Sequence, residues 1–196
     1  MTAEVRLADA QADEALGRDT VVLRAAGTAL ILDIQGDAVP RVVHWGADPG
    51  TVDDLSHLVL ATMPPRPLAS VDVPVLSRLI PQQADGWVGR PGISAHRDGR
   101  FPHLRLLQTA PPTVVETAEE GGGLWVQAGD GEVGITVHTE IQMDRSGTVR
   151  IRHEVVNDGP EVLTLDSATG LLPTGSQATE ILDFTGRWSG ERTPQR

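Results

Sequence analysis

Between residues 133 and 157 the chain reads twice in succession as a strand with one apolar and one polar face. Val133, Ile135, Val137, Ile141 and Met143 share one set of alternate positions, and Thr136, His138, Glu140 and Gln142 take the other. A two-residue repeat is the mark of a half-buried β-strand. After a turn at Arg145-Ser146-Gly147, Val149, Ile151 and Val155 alternate in the same way with Arg150, Arg152 and Glu154. A hairpin of this kind has an apolar face to hide, so a second layer must cover it.

The same punctuation runs through most of the chain. Residues 20–45 hold VVLRA, TALILDIQ and AVPRVVHW, short runs bounded by Gly or Asp that predict a three-stranded meander. Further strands are predicted over 103–108, 113–118, 124–128, 133–143, 148–157, 162–172 and 179–183. Gly121-Gly122-Gly123, Gly129-Asp130-Gly131 and Asn157-Asp158-Gly159-Pro160 are read as the turns between them. Roughly ten to twelve strands with almost no helix predict an all-β fold, a sandwich of two large antiparallel sheets. One short helix is expected in SHLVLATM, residues 56–63, capped by Asp54 or Ser56. The neighbouring pair Asp53-Asp54 is open to a functional reading as well as to that capping one. Residues 1–18, acidic and alanine-rich, are expected to be a flexible lead-in, and 19–196 a single domain. A chain of 196 residues can bury about 70% of its unfolded surface in one core.

Several function classes drop out on composition. A net charge of −11 argues against nucleic-acid binding, which needs clustered cations to displace counterions. All 16 basic residues are arginine, the bias expected of a GC-rich genome. With no cysteine there is no disulfide framework, thiolate metal site or cysteine nucleophile. The first residues show no basic and then apolar leader, and no run of eighteen apolar residues occurs. The expectation is a cytoplasmic protein that meets no membrane. The histidines at 44, 57, 96, 103, 138 and 153 have no metal-ligand spacing, so no metal or cofactor is expected. By strand alternation His138 is expected in solvent and His153 hydrogen-bonded in the core.

Residues 86–100, GWVGRPGISAHRDGR, are too densely punctuated by glycine and proline to be read as a regular strand or helix. The segment nevertheless carries an aromatic, guanidinium groups, an imidazole and a carboxylate. Two readings stand: a surface turn with Trp87 tucked into the core, or a ligand-facing loop. In the second, Trp87 is a stacking platform and Arg90, His96, Arg97 and Asp98 are polar contacts.

LSRLIPQQADGWVGRPGISAHRDGRFPHLRL (76–106) and TEILDFTGRWSGERTPQR (179–196) resemble motifs of the N-terminal domain of bacterial alpha-galactosidases of glycoside hydrolase family 36. The resemblance covers roughly 21–196. It implies a β-supersandwich related to the galactose-mutarotase fold. It also implies that the catalytic carboxylates lie on a (β/α)8 barrel beyond this domain. No catalytic residue is therefore assigned here, and the chain alone is expected to be inactive, acting on alpha-galactosides only within a full-length, homo-oligomeric enzyme. In family 36 tetramers this domain can approach a neighbour's active-site mouth, which would give Asp53, Trp87, Arg90, His96 and Arg97 a place near the sugar. Arg187, Trp188 and Arg192 are expected to dock on the barrel, with Phe184 buried at the end of the last strand. Two rivals are a free-standing carbohydrate-binding module and a mutarotase-like epimerase pairing His96 or His153 with Glu154 or Asp98.

Overall fold

The computed structural model describes residues 13–14, 20–50, 55–65, 74–117, 120–174 and 178–195. The lead-in falls outside these apart from β1 (Asp13–Glu14), whose backbone pairs with Val114 and Thr113. The meander is as predicted: β2 (Thr20–Ala25), β3 (Thr28–Asp33) and β4 (Arg41–Ala47) pair antiparallel. Ala26 and Gly27 at its first tip both have positive φ, the twist a two-residue hairpin turn needs.

Strand β3 is buried on both faces. Leu30 and Leu32 enter the main core, while Ala29 and Ile31 are equally inaccessible on the other side. Asp33 shares that second side by alternation and accepts from Arg41 Nε at 2.9 Å. The Arg41 guanidinium also donates to the Val59 carbonyl and Thr62 Oγ1, at 3.1 and 3.2 Å. The expected short helix, α1 (Leu55–Ala61), is thereby tied by its last turn to the back of the meander.

Strands β7 (Thr113–Thr117), β8 (Glu120–Asp130), β9 (Ile135–Met143) and β10 (Val149–Asn157) form a second meander, with β6 (Leu107–Gln108) beside the end of β8. The two meanders are joined within one nine-stranded network. Strand β7 runs along one edge of β8. On the other edge Glu120 and Gly121 pair with Ala25 and Arg24 of β2, and from Gly122 onward β9 takes over. The sheet forks there. Aliphatic side chains of both wings then meet in a single cluster, Val21, Leu23, Leu30 and Leu32 from one and Leu124, Val126, Val137 and Ile141 from the other. The two expected sheets are the wings of one hydrogen-bonded network.

The fork corrects the reading of the triple glycine. Gly121-Gly122-Gly123 is not a hairpin tip but part of β8. At Gly121 a Cβ would lie 2.1 Å from the Met143 carbonyl oxygen, and φ is +100°. Only glycine admits the crowding of three strands at the fork.

The remaining strands are shorter than predicted. Only β6 forms within 103–108, and β11 (Thr164–Ala168) lies within 162–172. Strand β12 (Asp183–Thr185) pairs with an unforeseen β13 (Thr193–Gln195) in a separate ribbon. Strand β11 pairs with β5 (Ile93–His96), so the 86–100 segment does contain a regular strand. The class is all-β and antiparallel. Among the described residues no helix is long and apolar enough to cross a membrane.

Candidate functional site

The segment around 86–100 is held from both ends. At its start the buried Gln82 side chain treats Leu106 as a strand would, donating from Nε2 to the carbonyl at 3.0 Å and accepting from the N–H at 2.8 Å. A single 3₁₀ turn, Gln83–Asp85, follows and ends at Gly86 in the left-handed region. Trp87 then folds over its own loop, its indole N–H donating to the Arg90 carbonyl at 3.0 Å. The ring is half-buried, while the Arg90 side chain is exposed.

Strand β5 carries the chain away from that tip. Ile93 and Ala95 enter the core, leaving Ser94 and His96 on the outer face. Asp166 of β11 lies beside both, 3.4 Å from Ser94 Oγ and 3.8 Å from His96 Nε2. The other imidazole nitrogen, Nδ1, accepts from the Gly99 N–H at 3.0 Å. Ser94 and His96 both address the carboxylate, so this is no serine nucleophile beside its base. Asp98-Gly99 forms the tight turn that returns the chain to Arg100, and Arg100 pairs with Glu161 at 2.8 Å.

Arg97 is turned into the protein. It is 6% exposed and donates from Nε to Val133 O at 2.7 Å, and from Nη2 to Gly134 O and Asn157 Oδ1 at 3.0 and 2.6 Å. Its Nη1 donates to the Glu161 carbonyl. This guanidinium is a clamp that joins the end of β5 to the β8–β9 turn and to the loop after β10. Asp53 belongs to 51–54, outside the described residues. The segment entering it is anchored: Arg24 reaches Asp48 at 3.2 Å and the Gly50 carbonyl at 3.1 Å. The Asp48 carboxyl is held below its ordinary range by the Gly50 N–H, with Arg24 also contributing.

Of the five proposed sugar contacts, the structure brings Trp87 and Arg90 together at one end of β5 and places His96 and Arg97 at the other. Sequence reasoning missed Asp166 and Gln82, whose partners lie 72 and 24 residues away. The epimerase rival fares poorly on geometry. His153 faces inward, its Nδ1 2.9 Å from Thr139 Oγ1, while Glu154 points out on the opposite face of β10. Burial pushes the His153 imidazole below its ordinary value of 6.5. His138 is exposed, as expected.

At the other end of the chain Arg187, Trp188 and Arg192 are exposed, with Trp188 at 92%. Phe184 is exposed too, at 59%. This corrects the expectation that it ends a buried strand. Among the described residues nothing forms a second layer over the ribbon of β12 and β13, and its Phe184 stays exposed. Among the described residues no three His, Asp or Glu side chains gather as a metal ion would require.

These features can be set against known proteins. Residues 38–196 match the glycosyl hydrolase family 36 N-terminal domain. The chain belongs to that family. It is 28% identical over 161 residues to the alpha-galactosidase of Escherichia coli, which covers 80% of this chain and 21% of that protein. The chain thus spans about a fifth of that relative's length. Its fold is shared with family 36 alpha-galactosidases of Geobacillus stearothermophilus. AgaB aligns with a TM-score of 0.55 at 17% identity, over 76% of this chain and 23% of that one. An AgaA variant in complex with stachyose aligns at 0.58 and 16% identity, over the same shares.

Proposed function

We propose that the chain works as the non-catalytic N-terminal domain of an alpha-galactosidase. It packs on a catalytic barrel, supports oligomer assembly and brings the Trp87–Arg90 tip and Asp53 toward the sugar pocket. One observation carries this reading. Within the segment matching the family, Ile181, Leu182, Phe184 and Trp188 are all exposed. Large apolar side chains gathered on a surface mark an interaction site. Arg187 and Arg192 lie among them, ready to meet carboxylates on a partner. AgaA variants have been solved with stachyose and with raffinose, which supports alpha-galactosides as the substrate class of the assembled enzyme.

The test is to express the reading frame together with the DNA that follows codon 196. The expected result is an encoded (β/α)8 barrel and a longer product that hydrolyses p-nitrophenyl alpha-galactoside, with the 196-residue chain alone remaining at the buffer rate. Hydrolysis by the chain alone overturns the proposal.

A further inference from the structure

The outward face of the second meander carries a feature that the reading above does not use. Trp125 lies opposite Glu140, which in turn lies opposite Arg152, so β8, β9 and β10 present an indole, a carboxylate and a guanidinium in one rung. The adjacent rung is Gln127, His138 and Glu154. Together these six residues line an open cleft of about 340 Å³, at the lower end of the range of small-molecule sites.

The orientation of Trp125 is set on both sides. Its indole N–H donates to Glu140 Oε1 at 3.1 Å, and Gln142 Nε2 donates to the same oxygen at 2.8 Å. Gly123, two residues earlier on the same face, has no side chain to hold the ring upright. A Cβ there would stand 2.4 Å from the outer edge of the benzo ring. The third glycine of the triplet therefore lets the indole lie down along its own strand, beside the polar groups of β9 and β10.

The chemistry around the ring selects among ligands. Arg152 is held 3.6 Å from Glu154 and 3.9 Å from Glu140. The cleft therefore has two carboxylates for one guanidinium, a poor setting for phosphate or another anion. A single aromatic wall is not the cage that a quaternary amine needs. A flat aromatic surface bordered by carboxylate and imidazole groups suits a ring with one apolar C–H face and a rim of hydroxyls. We infer that this cleft, centred on Trp125, Glu140 and Arg152, binds a neutral pyranoside at a site separate from the Trp87 loop.

The inference is tested on the 196-residue chain by following its four tryptophan indole N–H signals by NMR during titration with methyl alpha-galactoside, raffinose, methyl alpha-glucoside and choline. The expected result is a saturable shift of the Trp125 signal with at least one of the sugars and none with choline. Trp125→Ala should weaken that sugar's binding about tenfold or more, read from the backbone amides of β9. Arg152→Ala, on an exposed side chain, preserves the fold and should weaken it several-fold even if the tryptophan variant fails to fold. Shifts confined to Trp87 or Trp188, saturation by choline alone, or no saturation by any sugar well above millimolar concentration overturns the site. Because the readout is binding to the isolated chain, the site can fail while the assembly role stands, and the reverse.

Discussion

In residues 20–157 and in residues 161–195 apolar side chains lie in or beside strands, yet many of them are treated differently in the two regions. In the first region Leu30, Leu124 and Ile141 are fully inaccessible at the junction of two sheet wings. In the second, Val162 and Ile181 are each 82% exposed. The difference lies in what faces them, since a strand buries a side chain only where another layer covers it. The forked sheet supplies its own second layer, whereas among the described residues the β12–β13 ribbon has none. Val162, Ile181, Leu182, Phe184 and Trp188 are therefore surface, and the proposed barrel is the layer that would cover them.

Leu30→Ala strikes the region that closes on itself and should have the largest effect. A loss of about 2–5 kcal/mol is expected in denaturant unfolding, and a loss below about 1 kcal/mol would mean that the wings do not share a tight core. Next comes Arg97→Ala, which would strip hydrogen bonds from three carbonyls and Asn157. About 2–3 kcal/mol of destabilisation is expected. If the variant instead kept its stability and altered sugar contact, Arg97 would return to the ligand-facing group.

A pH series sharpens the same contrast at His153. Because burial lowers its folded pKa, the unfolded chain binds the proton more readily. The stabilisation is complete above about 6.5 and declines as pH falls toward the lowered folded value. The melting temperature should therefore drop on acidification from neutral pH through that window, and part of this drop should be absent in His153→Gln. An identical pH profile in the variant would remove His153 as the cause. The smallest effect on the isolated chain belongs to Trp188→Ala, under about 1 kcal/mol by thermal melt. In a longer enzyme the same change should reduce assembly measurably by light scattering. Unfolding of the isolated chain as severe as that of Leu30→Ala would end the docking role.

The strands of the two meanders were legible because alternation is local: 133–143 and 148–157 could be read residue by residue, and the observed β9 and β10 fall within them. The short helix was legible for a similar reason. Triple glycine was misread because local rules equate glycine with turns, whereas Gly121 answers to Met143, on another strand. Of the loop residues, Trp87 and Arg90 stand out by chemistry, and the fold sets them together at one tip. Arg97 has the same chemistry but a structural position, and its acceptors lie 36 to 64 residues further along the chain.

By itself the sequence determined the all-β class, the alternating strands of the two meanders and, through its two motif stretches, the family. The tertiary structure alone decided where the sheet forks, which guanidinium is buried, that Phe184 stays in water, and that Trp125 lies beside Glu140 across from Arg152. The division follows from the physics of a strand: its period states which side chains share a face, but what covers that face is set by pairing between segments far apart in the chain.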